Sequence, residues 1–447
     1  MKAVCLLTGA AAAAMAQTPQ MTVTINRHLT LPQAESLLLQ RNLGIAVNRS
    51  MLEAAEAAKL IASYKPNPTI QMGAEQYPVQ SPLSGSVPRL FTTDSNAGAQ
   101  PTYTFLFTKM VERGGKRTFR TQQAEAQVRA ARAQILDTFR QQLLQLRQAF
   151  GSALLARRNL EFARQALREY EQTEKLTETR VKSGDAAQVE LYRVRTGKFP
   201  YQQAVVQAQT AYQQACLDVL NLLNSRREEV VMTPAPAGED EALRDAPLDV
   251  EGDFADGQLS LTLEDLKKVA LRERPDVGMA RYTLEAAQFG ASLARAQRAR
   301  DLTFGLEYQR VGSDSAVGFT ASFPLFLYNN QRAAISEAAA VRRAAELLSR
   351  QAELQAITDT EKAWWSYQAA QRSAAVFSRE NLDQAEKLRR VAFFSFQHGA
   401  TSLFELLDAQ RTLNQARTGF NQARFDVQNS LWLLEAAIGR ALEGAKP

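Results

Sequence analysis

The side chains with the most to say about chemistry are three acids that come after glycines. Glu190 comes shortly after Gly184, and Glu405 and Asp408 come shortly after Gly399. Glu405 and Asp408 are three residues apart, so on a helix they share one face. Acids near a helix start offset its dipole. If symmetry copies met around a narrow opening, each acid would become a ring of negative potential that favours cations. No other reactive constellation is visible. The histidines are His28 and His398, and no nucleophile pairs with a base. No stretch has the ligand spacing of a metal site, so no catalytic residue, metal ligand or cofactor is expected. Trp364 and Trp365 fall inside a helical pattern and read as packing residues.

The composition describes the elements that must carry these acids. Ala, Gln, Arg, Glu and Leu dominate long stretches, glycine and proline are few, and the pattern is that of long helices. The net charge of +6 over 447 residues is modest and forms no basic stripe, which argues against nucleic acid. Residues 1–16 read as a signal peptide: Lys2, an apolar stretch from Val4 to Met15, and Ala14-Met15-Ala16 before Gln17. Cys5 comes too early in that stretch to be a good lipid-attachment site. Cleavage would leave Cys216 alone, hence no internal disulfide. No run of about 20 apolar residues is present, so a membrane crossing would have to use strands.

The chain is a duplication. Leu52-Glu53-Ala54-Ala55 recurs as Leu284-Glu285-Ala286-Ala287, and the same offset of 232 pairs Leu29-Thr30-Leu31 with Leu261-Thr262-Leu263. Farther on the offset is 215, pairing Arg117 with Arg332, Gly184 with Gly399, and Glu190-Leu191 with Glu405-Leu406. The first copy spans 29–224 and the second 261–440. A Pro-rich, acidic connector lies at 225–260, a tail at 441–447, and an insertion at 78–100 lengthens the first copy. Each copy reads as an opening helix (32–64, 263–298), two strands (68–77 and 102–109, 301–309 and 316–324), and a coiled-coil hairpin (117–223, 331–438). Ile135, Phe139, Leu143, Leu146, Phe150 and Leu154 show the helical period. The long helix, at about 1.5 Å per residue, would reach roughly 100 Å. The opening and return helices, at roughly 50 and 55 Å, match it when stacked end to end. That match, found in both copies, predicts a cylinder wall.

The strand segments alternate. Leu302, Phe304, Leu306 and Tyr308 oppose Thr303, Gly305, Glu307 and Gln309. Val317, Phe319, Ala321 and Phe323 oppose Gly318, Thr320 and Ser322, and Tyr103, Phe105 and Phe107 oppose Thr102, Thr104 and Thr108, with Leu106 breaking the pattern. Such alternation marks barrel strands with apolar side chains to lipid and polar ones to a lumen. Phe105, Phe107, Leu302, Phe304, Leu306, Phe319 and Phe323 are the expected lipid face. Four strands cannot close a channel and unpaired edges in lipid are not tolerated, so several chains must contribute. Three would supply twelve strands.

Several segments together resemble one family. They are Leu29 to Glu53 with its repeat Leu261 to Glu285; Glu112-Arg113-Gly114-Gly115-Lys116-Arg117; Phe323-Pro324-Leu325 followed by Asn329-Asn330-Gln331; and Gly399-Ala400-Thr401-Ser402-Leu403-Phe404-Glu405-Leu406-Leu407-Asp408-Ala409-Gln410-Arg411. In this order they are similar to the TolC-like outer-membrane efflux ducts, and most resemble the branch serving heavy-metal exporters. The resemblance implies a mainly α fold with a transmembrane β-barrel segment and no catalysis. It implies a homotrimer in outer-membrane lipid whose twelve-stranded barrel continues into a periplasmic helical tunnel. Its partners would be a periplasmic adaptor and a proton-driven inner-membrane pump. The cargo would be small substrates such as metal cations or drugs. The turns would be the adaptor-contacting tips: Lys182, Ser183, Gly184 and Asp185 with Gln397, His398, Gly399 and Ala400. Glu405, Asp408 and Glu190 would belong to the aperture. The family's closed tip uses a Tyr and an Arg where this chain has Phe396 and Thr401, which argues against a tight ionic latch. Two other readings stay open: a protein-secretion conduit, and a soluble coiled-coil scaffold that would have no need of alternating strands.

Overall fold

A computed structural model describes residues 25–75, 101–231, 246–254, 259 and 261–442. The expected signal peptide and the insertion at 78–100 lie outside the described residues, as do parts of the connector and tail. Strands β1 (Ile25–Asn26) and β2 (His28–Thr30) come first, followed by helices α1 (Leu31–Arg41) and α2 (Leu43–Ser63). Strands β3 (Thr69–Glu75) and β4 (Thr102–Val111) precede α3 (Lys116–Ser183), and α4 (Gln188–Gly197) and α5 (Phe199–Leu222) run back. The connector contributes a 3₁₀ turn at Arg227–Glu229 and strands β5 (Val230–Val231) and β6 (Asp249–Glu251). The second copy repeats the order with α6 (Leu263–Glu273), α7 (Pro275–Ala296), β7 (Leu302–Val311), β8 (Asp314–Ser322), α8 (Arg332–Val376), α9 (Arg379–Gln397) and α10 (Leu403–Ile438).

The helices break where local chemistry stops them. Each opening helix is a pair, divided at Asn42 and at Arg274, positions related by the same repeat offset. Asn42 caps α2, accepting from Ile45 N at 3.1 Å while its amide donates to Gln142 Oε1 at 3.0 Å. Arg274 precedes Pro275, which bars it from the helical region and then starts α7. Pro200 in the first turn of α5 marks the break in the first return helix. The second long helix divides at Phe377, where Ser378 Oγ accepts from Asn381 N at 3.3 Å and Asn381 donates back to Val376 O at 2.7 Å. One copy therefore has an unbroken long helix of 68 residues and a broken return. The other has a broken long helix and an unbroken return of 36 residues.

The chain forms two units. The first comprises Met1–Leu38, Ala149–Asp253 and Leu382–Asn421. Within it β1 pairs with β5 and β2 with β6, both parallel, so the connector is held against the first copy's opening strands. Tyr212 Oη and Cys216 Sγ both reach Leu248 O, at 3.1 and 3.6 Å, from the buried face of α5. Burial pushes the Cys216 thiol up to about 12, which keeps it protonated and inert. A core of Tyr170, Val194, Phe396, Leu403, Leu406 and Ala409 packs near the helix turns. Fully burying each large apolar side chain there stabilises by about 1.5–3 kcal/mol.

The second unit comprises Leu39–Gln148, Phe254–Asn381 and Gln422–Pro447. It holds a four-stranded antiparallel sheet in the order β3-β4-β7-β8 and a helical core that includes Leu266, Tyr367, Leu431, Leu434 and Ile438. Buried Arg274 is compensated there by Asp276 at 2.6 Å, Asp359 at 3.0 Å and the Ala437 carbonyl at 3.2 Å. Among the described residues no helix is long and apolar enough to cross a membrane.

Candidate functional surfaces at the helix turns and the sheet

In the first unit, two glycines end their helices identically. Gly184 has φ +83° and Gly399 φ +75°, a left-handed conformation that glycine adopts without a Cβ penalty. Gly184 N donates to Val181 O at 3.2 Å and Asp185 N to Arg180 O at 2.8 Å. The second turn repeats the pair, with Gly399 N to Phe396 O at 3.1 Å and Ala400 N to Ser395 O at 2.8 Å. These are the paired bonds of a Schellman cap, and they satisfy carbonyls that the helix end leaves open. Lys182, Ser183, Gly184, Asp185, Gln397, His398, Gly399 and Ala400 are all exposed.

Arg180 draws the two turns together. Its guanidinium donates to Phe396 O at 2.9 Å and to Asp185 O at 3.3 Å, and lies 4.7 Å from the centroid of the Phe396 ring. Phe396 is 1% exposed. The side chain of a residue 216 positions away thus shares, with Gly399 N, a carbonyl in the last turn of the second helix. Sequence reading missed Arg180. A cation in a last helical turn is a known partner for end carbonyls, but nothing in the sequence says it reaches the other copy's helix. Thr401 is half-buried, its Oγ1 3.5 Å from Ala392 O.

The turns carry further local contacts. Ser183 Oγ donates to Asp185 Oδ2 at 2.6 Å, and His398 Nδ1 lies 2.9 Å from Phe394 O with its ring 4.3 Å from the Phe394 ring. Lys182 pairs with Glu178 at 3.0 Å, and this hydrogen bond holds the Glu178 carboxyl below its usual range.

The three acids differ in what they touch. Glu405 is exposed and completes a capping box: Glu405 N donates to Ser402 Oγ at 3.3 Å, and Ser402 N donates back to Glu405 Oε2 at 3.4 Å. Asp408 is exposed one turn farther along α10. Glu190 is half-buried in the first turn of α4, whose cap residue Ala187 supplies no side-chain bond.

In the second unit the sheet sorts its residues by register. Ile70, Phe107, Leu306 and Phe319 form one row across all four strands, and Met72, Phe105, Tyr308 and Val317 form the next on that face. The rows between face the other way: Thr69, Thr108, Gly305 and Thr320, then Gln71, Leu106, Glu307 and Gly318, then Gly73, Thr104, Gln309 and Ala316. Leu106 is therefore the apolar residue of a polar row. The apolar rows are exposed, Met72 and Val317 by 75% and 73%. Lys109 lies beside Phe304 and Ala321 at one rim of this face, and Arg310 lies with Ala74, Tyr103 and Ser315 at the other. Leu302 is half-buried on the same face. Strand β8 runs two residues earlier than the expected 316–324, so Phe323 falls just beyond it, with Arg300 5.9 Å from its ring centroid. β3 and β8 are the sheet's edges. An exposed apolar face on an open four-stranded sheet is an incomplete structure in water and marks a surface that something must cover.

The family described as outer membrane efflux protein matches residues 35–225 and 266–440. The pyoverdine export outer membrane protein OpmQ of Pseudomonas putida is 27% identical over 307 residues, covering 65% of this chain and 59% of that protein. The Pseudomonas aeruginosa OpmQ is 29% identical over 185 residues, covering 39% of this chain and 38% of its own. This chain therefore matches less than two thirds of the length of either relative. Among solved structures, the outer-membrane channel OprN superposes with a TM-score of 0.73 at 20% identity, covering 92% of this chain and 89% of that one. The outer membrane protein VceC of Vibrio cholerae gives 0.71 at 18% identity, covering 92% and 97%. At such identities the likeness is one of fold.

Proposed function

This chain belongs to the outer membrane efflux protein family, and on that premise we propose that it is the passive outer-membrane channel of a tripartite efflux system. One observation carries the reading: the sheet's register, with whole rows of exposed apolar side chains on one face and polar rows on the other. That face is suited to hydrocarbon, the opposite one to a wet lumen, and the open edges to neighbouring copies. Three chains would give a twelve-stranded barrel lined by the rows containing Glu307 and Gln309. Phe105, Phe107, Leu302, Phe304, Leu306, Phe319 and Phe323 would meet lipid. The helical hairpins would stand in the periplasm.

The turns at Gly184 and Gly399 would be the adaptor-docking tips, since they are exposed and each is closed by paired backbone hydrogen bonds. Asp408 and Glu405, with Glu190, would face the aperture. An inner-membrane pump would supply the energy, and the chain performs no catalysis. The curated relatives are named for pyoverdine export, which supports an exported small molecule as cargo. That name leaves the heavy-metal branch without support from the relatives. The barrel face also disfavours a soluble scaffold, which would have no use for an apolar face on an open sheet.

The test is fractionation and then mass measurement in mild detergent. The reading expects the protein in the outer-membrane fraction and a stable particle of three chains. A detergent-independent soluble protein, or a stable monomer, would overturn it.

A further inference from the structure

His28, Asp249 and Glu251 belong to neither surface described above. His28 lies on β2 and the two acids on β6, which pair in parallel with His28 opposite Asp249. Asp249 and Glu251 are two residues apart on a strand, so their side chains leave the same face. His28 Nδ1 is 2.9 Å from Asp249 Oδ2 and 3.1 Å from Glu251 Oε1. The three ligand atoms all lie within 4.8 Å of one another. Ligand atoms about 2.1 Å from a tetrahedral zinc ion stand roughly 3.4 Å apart. The two spacings from His28 thus need only a few tenths of an ångström of opening, and the two carboxylate oxygens lie within 4.8 Å of each other.

One buried ligand and two exposed ones combine a fixed anchor with access from solvent. The Asp249 side chain is 5% exposed and forms the fixed part. Arg157 Nη1 lies 2.8 Å from its Oδ1 as an ion pair and also donates to Val250 O at 2.5 Å, which anchors the carboxylate. Asp249 Oδ1 is thus occupied by a cation, and Oδ2, 2.9 Å from His28 Nδ1, is the oxygen that faces the site. The His28 and Glu251 side chains are 38% and 52% exposed, so an ion can enter and they can adjust around it. With neutral imidazole, two carboxylates and Arg157 leave one net negative charge for a divalent cation to offset. One imidazole nitrogen with carboxylate oxygens suits a first-row ion of the zinc type better than calcium or magnesium, which want all-oxygen shells.

We propose that His28, Asp249 and Glu251 form a binding site for a Zn²⁺-type divalent cation, with water completing the shell. The ion fastens the connector to the strand that opens the first copy. The repeat offset puts Ser260 where His28 stands, so the site belongs to one copy only. This inference does not depend on the export reading, because every ligand lies in one unit of a single chain.

The experiment uses the full chain in detergent, stripped with a chelator and titrated near neutral pH with Zn²⁺ alone in a calorimeter. Co²⁺ is then substituted and its visible absorption recorded. A class of sites at one ion per chain is expected. His28→Ala and Glu251→Gln should each weaken it about tenfold or more, since both remove a ligand. Glu251 is exposed, so Glu251→Gln tests the site even if His28→Ala misfolds. The chain has only two histidines, so the nitrogen-ligated cobalt band should vanish in His28→Ala and persist in His398→Ala. Zinc binding unchanged in Glu251→Gln, or a cobalt band surviving His28→Ala, would overturn the assignment. Either result would leave His28 as an ordinary hydrogen-bonded bridge between two carboxylates.

Discussion

Gly184 and Gly399 close their helices with the same pair of backbone hydrogen bonds, yet the residues just past each glycine differ. After Gly399, Ser402 and Glu405 cap α10 reciprocally. After Gly184 the equivalent positions hold Ala187 and Glu190, so the acid is present and the hydroxyl is not. The first turn relies on other contacts: the Ser183–Asp185 bond, the Lys182–Glu178 pair, and the Asp185 carbonyl held by Arg180. Equivalent acids in a duplicated chain have therefore taken different work. Glu405 is partly committed to its own helix start, whereas Glu190 stands in a first turn without a side-chain cap. Asp408, one turn on, is exposed and lies outside this capping box.

Arg180→Ala should have the largest effect on this pairing of turns. It removes two charge-assisted hydrogen bonds and the Phe396 ring contact, and about 2 kcal/mol of local stability is at stake. Hydrogen exchange should show protection falling by roughly 30-fold at the amides of both turns, because about 2 kcal/mol corresponds to that factor. Loss confined to the first turn would mean that Arg180 does not join them.

The next test exchanges the caps. Ser402→Ala should weaken the start of α10 by about 1 kcal/mol, and Ala187→Ser should strengthen the start of α4 by a similar amount. The second change is the sharper one, because Ala187 already has the extended backbone of a cap residue and Glu190 is in place to complete the box. Exchange rates at amides 188–191 and 403–406 should move in opposite directions. If Ala187→Ser gives no gain, the difference between the turns lies in more than one hydroxyl.

The smallest effect is a pH dependence restricted to the first turn. The Lys182 hydrogen bond holds Glu178 below its usual range, so its contribution is present at neutral pH and fades as pH falls through the lowered value. The equivalent positions in the second copy, Phe393 and Gln397, cannot titrate. Acidification below the ordinary carboxyl range should loosen the last helical turn before Gly184, at residues 178–182, while the equivalent residues 393–397 stay as they were. Equal loosening at both would contradict this.

Much of this arrangement is legible in the sequence, for physical reasons. A period of two sorts side chains to the faces of a strand, so the apolar face can be read off directly, Leu106 included as its exception. Glycine between long periodic stretches marks a helix end. The breaks at Pro200 and Pro275 and the Ser402-x-x-Glu405 box also carry local signals, which the longer helical pattern obscures. The breaks at Asn42 and Phe377 depend on side chains that hydrogen-bond the backbone or a distant glutamine, which periodicity does not register. Arg180 to Phe396 and His28 to Asp249 join residues more than 200 positions apart. No spacing rule reaches so far, which is why the sequence shows acids but no ligand cluster.

The central claim is that copies of this chain close their sheets into a channel whose periplasmic end carries the Asp408 carboxylates. Single-channel recording of the purified protein in a planar bilayer tests it most directly. Discrete conductance steps that favour cations and are blocked by multivalent cations are expected. Asp408→Asn should weaken both preferences while the three-chain particle survives, with Glu405→Gln adding to the loss and keeping the cap. An absence of discrete steps would contradict the channel. Steps whose selectivity and block are untouched by the double substitution would show that the acids face elsewhere.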